Sequence, residues 1–177
     1  HCGGWRINKL DSAHAPDNHG MQVTLESPDQ PEVIALIAAL DAYQGALYPP
    51  ESNYHLSIDA LRQPNVLFAV ARDAGGAAVG CGAVVMLADY GELKRMYVDP
   101  AQRGVGVAQQ LLQRLEHEAM QRNCPLLRLE TGIHQQRAIA FYAGTGYAQC
   151  ERYGDYPVDP LSVYMEKWLV RADIEQR

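Results

Sequence analysis

Apolar positions along this chain switch between two periods, and the switches mark out its elements. Polar and apolar residues alternate over 23–26, the period of a short edge strand. Val33, Ile34, Ile37, Leu40 and Ala46 then give one face of a helix that runs to about Leu47. Ser27 before Pro28 offers that helix a capping oxygen and an early proline; Asp29 with Glu32 offers an equally good capping box. Pro49 and Pro50 stop the helix, residues 51–55 read as a polar loop, and Ser57 caps a short second helix over 58–62. Strands follow at 65–72 and 77–87, joined by the turn Asp73-Ala74-Gly75-Gly76, with a third of the set at 92–98. Val107, Leu111, Leu115 and Ala119 recur every four residues and predict a long amphipathic helix over 106–122. A strand at 126–131, a helix at 135–145 ended by Gly146, and closing strands at 147–153 and 162–168 complete the pattern. The order is β, α, α, three antiparallel strands, α, β, α, β, β, a mixed-sheet α/β domain.

Residues 1–20 break the pattern: they are polar, hold three of the six histidines and have no apolar period. Met21 reads as the natural initiator, with 1–20 as an expression-vector or upstream-reading remnant; a disordered natural arm is the alternative. That leaves one domain over 21–177. With 47% hydrophobic and 20% charged residues, the composition excludes disorder, collagen and coiled coil for the bulk of the chain. The net charge of −6 argues against a general nucleic-acid binder and leaves room for a cationic or neutral small substrate. The longest apolar run, 33–40, is too short to span a bilayer. Cys2, Cys81, Cys124 and Cys150 show no CxxC or zinc spacing, and no secretory segment precedes them. No metal is expected, and the thiols read as reduced in a cytoplasmic protein. Ten tyrosines against two phenylalanines point to hydroxyl groups near a cleft or half-wet surface.

The chemistry concentrates in residues 92–112, where a strand enters a glycine turn that opens the long helix. Gly104, Gly106 and Ala108 keep side chains away from the free N–H groups of the first helical turn, and Arg103 adds a fixed positive charge. This is a phosphate cradle. It lacks the Lys-Ser/Thr of a Walker loop, and Gln109 stands where a dinucleotide fingerprint needs its third glycine.

Arg103-x-x-Gly106-x-Ala108 instead resembles the R/Q-x-x-G-x-G/A signature of the GCN5-related N-acetyltransferases (GNAT). Ala138-Ile139-Ala140-Phe141-Tyr142 with Gly146-Tyr147 resembles the family's downstream segment, and the likeness extends from Val23 to about Leu169. One departure is Gln135, where many members carry asparagine. The resemblance implies a GNAT-like fold around a splayed central sheet, with acetyl-CoA as cofactor. It implies transfer of acetyl to a primary amine of a small molecule or peptide by direct attack in a ternary complex. The alternative is a non-catalytic acetyl-CoA-binding sensor of the same fold. The cofactor would lie against Met96, Tyr97 and Val98, the turn from Arg103 through Gly104, Val105, Gly106, Val107 and Ala108 to Gln109, and Gln135. Tyr142 takes the general-acid position and Glu92 the glutamate-base position, with a water relay also open and Glu130 on the neighbouring strand a further candidate for the base. The acceptor pocket would draw on Tyr48, Glu51, Tyr54, His55, Glu130, Tyr153 and Tyr156. Such proteins often pair as homodimers. The acceptor's identity stays open, from an auxin-like or aminoglycoside-like compound to a polyamine or a peptide amine.

Overall fold

The structure, a computed structural model, describes residues 20–170. The expectation for residues 1–20, Gly20 apart, and Cys2 fall outside the described residues.

Seven strands form one sheet in the order β1-β2-β3-β4-β5-β7-β6. They are β1 (Gln22–Leu25), β2 (Val66–Arg72), β3 (Ala78–Met86), β4 (Gly91–Val98), β5 (Leu126–Gly132), β6 (Ala148–Gln149) and β7 (Ser162–Trp168). Only the β4–β5 pair is parallel. The helices are α1 (Pro31–Leu47), α2 (Ile58–Leu61), α3 (Val107–Gln121) and α4 (Gln136–Gly144). The sheet is buried on both faces, which is why β2 reads as an apolar run. Leu67, Ala69 and Ala71 meet Leu111 and Leu115 of α3; Phe68 and Val70 meet Val33 and Ile37 of α1 and Leu61 of α2. The mixed α/β architecture expected from the pattern is the one observed.

Three local expectations are corrected. The capping residue of α1 is Gln30, with no side-chain cap, and the early proline is Pro31; the Ser27 hydroxyl instead accepts from Asp29 N at 3.2 Å. The buried stripe of α1 is Val33, Leu36, Ile37 and Leu40, which share one face at 3.6 residues per turn, and this leaves Ile34 exposed. The strand expected over 147–153 shrinks to Ala148–Gln149, because the chain leaves the sheet as Tyr153 turns inward against Tyr90, Tyr156 and Tyr164.

The feature that positions the site is a fork. β4 and β5 pair only at Gly91 with Leu127, Glu92 with Arg128 and Leu93 with Leu129. Beyond Leu93 the two strands diverge. On its other edge β4 carries a bulge: Tyr97 pairs with Cys81 and Lys94 with Ala83, so Arg95 and Met96 face Gly82 alone. Arg95 takes a left-handed φ of 60°, which costs a residue with a Cβ about 1 kcal/mol. Its side chain offsets that cost by donating to Leu56 O from Nε (3.2 Å) and Nη2 (2.7 Å) and by pairing with Asp41. Opposite, Gly82 leaves room for the Met96 side chain, whose Sδ would lie 2.2 Å from a Cβ there.

At the sheet's other edge, Glu26 binds Arg72 at 2.7 Å. Hydrogen bonds from Arg72 hold the Glu26 carboxyl down at about 2. The unfolded carboxyl protonates first on acidification, so this contribution to stability is complete above about 4.5 and lost as pH falls toward 2. Glu26→Gln is therefore expected to lower Tm at pH 7, with wild type and variant converging near pH 2; a gap independent of pH would refute the pairing.

Candidate active site

The fork opens two cavities that share a wall. The first, of about 410 Å³, runs between β4 and α4 and is lined by Met96, Tyr97, Val98, Arg103, Ala108, Gln135, Tyr142 and neighbours. Past Leu93, the edge of β4 that faces β5 has no strand partner. At one end of this cavity lies the glycine turn. Gly104 and Gly106 have φ of 83° and 86°, a conformation that glycine adopts without strain, and a Cβ on either would meet open space. The turn feeds the N-terminus of α3, whose first-turn N–H groups have no intrahelical acceptor. Arg103 lies over the Tyr97 ring at 5.8 Å and donates from Nε to Val98 O at 3.2 Å. Val107 gives this turn only its backbone, for its side chain packs against Gly80 in the core. The side chains of Val105 and Gln109 are exposed and line neither cavity.

The second cavity, about 100 Å³, lies on the α1–α2 side of the fork. Tyr48, Tyr54, His55, Lys94, Arg95, Glu130, Thr131 and Leu161 line it, among others. Leu40, Met96, Gln135, Ala138 and Tyr142 border both cavities. Tyr142 is therefore the hydroxyl-bearing ring where the chambers meet, and burial pushes its phenol above the usual tyrosine range. Gln135 Oε1 accepts from Thr131 Oγ1 (3.3 Å) and Gly132 N (3.2 Å), which closes the end of β5. Tyr48 packs on Gly132, where a Cβ would lie 1.9 Å from its hydroxyl oxygen, and that oxygen accepts from His134 N at 3.1 Å. Tyr54 donates to Asp159 Oδ2 at 2.8 Å; burial first, then Asp159, pushes its phenol up to about 12. Burial and Arg95 push the His55 imidazole down.

The structure divides the residues singled out from the sequence. Tyr48, Tyr54, His55 and Glu130 line the second cavity. Glu51 is exposed on the turn after α1 and lines neither. Tyr153 and Tyr156 sit behind the wall, in an edge-on cluster with Tyr54, Tyr90 and Tyr164 at 5.2–5.6 Å between ring centres. Glu92 is buried and does not line the cavity: it binds Lys94 Nζ at 3.0 Å and accepts from Tyr156 OH at 3.2 Å, and Lys94 also donates to Tyr156 OH. Sequence reasoning missed Lys94, Arg95 and Thr131. A lysine and an arginine side by side in a central strand were the available signal; nothing local announced a bulge at a residue other than glycine.

With the fork, the glycine turn and the shared wall described, comparison with known proteins defines the class. The chain belongs to the acetyltransferase (GNAT) family, whose model matches residues 33–147. It is 45% identical over 149 residues to a protein of Azospirillum brasilense named IAA acetyltransferase, covering 83% of this chain and 97% of that one. A crystal structure from Klebsiella pneumoniae described as an acyl-CoA N-acyltransferase superposes with a TM-score of 0.72 at 45% identity, over 85% of this chain and 98% of that one. An N-acetyltransferase from Thermoplasma acidophilum, solved in complex with coenzyme A, shares the fold with a TM-score of 0.64 at 17% identity, over 84% of this chain and 98% of that one. The protein is an acyltransferase. No helix among the described residues is long and apolar enough to cross a membrane, and they hold no metal-binding group of three or more His, Cys, Asp or Glu.

The pair of half-buried Lys94 with buried Glu92 makes a stability prediction. Lys94→Met leaves the Glu92 carboxylate without its cation and is expected to cost about 3 kcal/mol. Glu92→Leu combined with Lys94→Met should recover most of that loss in denaturant unfolding. Additive losses would contradict the pairing.

Proposed function

We propose that the protein transfers an acetyl group from acetyl-CoA to a primary amine of a small molecule or peptide, by direct attack in a ternary complex. The observation that carries this reading is the unpaired edge of β4 inside the fork, with one chamber on either side of Tyr142. The first-turn N–H groups from Gly104 to Gln109, with Arg103 beside them, suit the pyrophosphate of acetyl-CoA. The β4 edge from Met96 to Val98 suits the amides of the pantetheine arm, and the Gln135 amide group borders the same channel. Backbone N–H groups of that edge supply donors where the thioester oxygen gains charge. The amine attacks the carbonyl carbon from the second chamber, the C–N bond forms and the C–S bond breaks. Tyr142, kept protonated by burial, hydrogen-bonds the sulfur as charge builds and passes its proton to the thiolate. The name of the Azospirillum brasilense relative adds IAA to the compounds to test beside primary amines; IAA carries a carboxylate and no primary amine, so its turnover would count against this acceptor class.

Acetyl-CoA is expected to raise Tm by mass action, and ATP or NAD is not. Tyr142→Phe should lower kcat about 10²-fold while the acetyl-CoA Kd, from calorimetry, stays within threefold. An unchanged kcat removes the acid role; a thermal shift with ATP or NAD but not with acetyl-CoA removes the whole reading.

A further inference from the structure

The two chambers meet at a short neck. Leu40 of α1, Met96 of β4, Gln135 at the cap of α4, and Ala138 and Tyr142 within it border both chambers. Their neighbours fall on one side only. On α1, Tyr43 lines the first chamber and Gln44 the second. On β4, Tyr97 and Val98 line the first, Lys94 and Arg95 the second. The neck is thus one residue deep along β4. At about 3.3 Å per strand residue, that depth suits a carbonyl and a methyl and little more.

Leu40 is the side chain that closes this neck. It is 4% exposed and ends the buried stripe of α1. Val33, Leu36 and Ile37 of that stripe pack into the cluster between α1 and the sheet, whereas Leu40 is part of neither core cluster among the described residues. Its burial is against the neck. The other apolar groups there do not reach as far: Met96 turns its sulfur toward Gly82, and Ala138 ends at its Cβ. The three core contacts one to two turns earlier anchor α1, so Leu40 yields to added volume only at a cost in packing. Beyond the neck the walls turn polar, with His55, Lys94, Arg95, Glu130 and Thr131. A hydrocarbon chain lying over them would strip them of water and return no hydrogen bond.

We infer that Leu40 sets the acyl length of the donor. The acetyl methyl ends against Leu40 in the neck. Each further carbon must displace Leu40 or run on into the second chamber, over its polar walls and into the space the acceptor needs. This rests on the acetyl-transfer reading above and adds to it a residue that selects the donor without moving a proton.

Calorimetry of coenzyme A, acetyl-CoA and butyryl-CoA binding, with no acceptor present, tests it. Wild type should bind butyryl-CoA at least tenfold more weakly than acetyl-CoA. Leu40→Ala removes three carbons where butyryl adds two; it should cut that ratio at least fivefold, with the coenzyme A Kd within threefold of wild type. Leu40→Val, which disturbs α1 less, should cut the ratio at least twofold and decides the matter if Leu40→Ala does not fold. Ile37→Val, in the core a turn earlier and lining neither chamber, should leave the ratio unchanged. A wild-type ratio below tenfold overturns the inference. So does a folded Leu40→Ala protein with a smaller change than fivefold, or an Ile37→Val protein that matches the Leu40 variants. In each of these cases coenzyme A and acetyl-CoA still bind, and the acetyl-transfer reading stands. Wild type that binds none of the three ligands sinks that reading as well.

Discussion

Everything functional in this molecule depends on two parallel strands that stop pairing after three residues. Had β4 and β5 stayed together past Leu93 and Leu129, their edges would have satisfied one another and no chamber would exist. Their divergence leaves backbone polar groups of β4 without a partner inside the sheet, a state that a buried strand tolerates only where water or a ligand supplies one. The bulge at Arg95 and Met96 is the matching irregularity on the opposite edge. Arg95 ties that bulge to Asp41 on α1 and to Leu56 ahead of α2, so α1, which lines the second chamber through Leu40 and Gln44, also holds the β4 backbone.

Polar groups buried around the fork stiffen it. Lys94, which lines the second chamber, is tied behind it to Glu92 and Tyr156. A second set supports α4: Lys167 binds Glu116 at 3.2 Å and caps the helix end at Thr145 O (2.9 Å), while Tyr147 donates to Glu116. The Tyr147 ring in turn packs edge-on against Tyr142 at 5.6 Å. The tyrosine excess has a structural explanation in these contacts. Five rings build one interlocked wall between the closing loop and the sheet, and two more pack at the turn after α4. Phenylalanine would fill the same volume but could not supply the hydrogen bonds from Tyr54, Tyr147 and Tyr156.

The parts of this architecture legible in the sequence are those where local chemistry leaves few choices. Gly104 and Gly106 announced the turn because both adopt positive φ ahead of a helix. The four-residue spacing of α3 and the strand periods gave element order. Tyr142 was legible by its offset from Ala138 in the family's segment. The second chamber was not. It gathers residues from Leu40 to Leu161, and whether a tyrosine lines it or stands behind it is settled by long-range packing. Glu51 and Tyr153 lie on the loops expected to frame the acceptor, yet one faces outward and the other turns into the aromatic wall. Glu92 carried the spacing of a base, but its partners Lys94 and Tyr156 meet it only in the folded sheet. The β4 bulge was invisible because arginine rather than glycine occupies the left-handed position and uses distant groups to stay there.

The central claim is that the unpaired edge of β4 is where the thioester arm binds. Hydrogen exchange of backbone amides, followed residue by residue with and without acetyl-CoA, tests it most directly. The account predicts that the ligand slows exchange at residues 96–98 and in the turn at 104–108 while the paired core of β2 and β3 is unchanged. Protection confined to other elements, or none along β4 at saturating ligand, would contradict it.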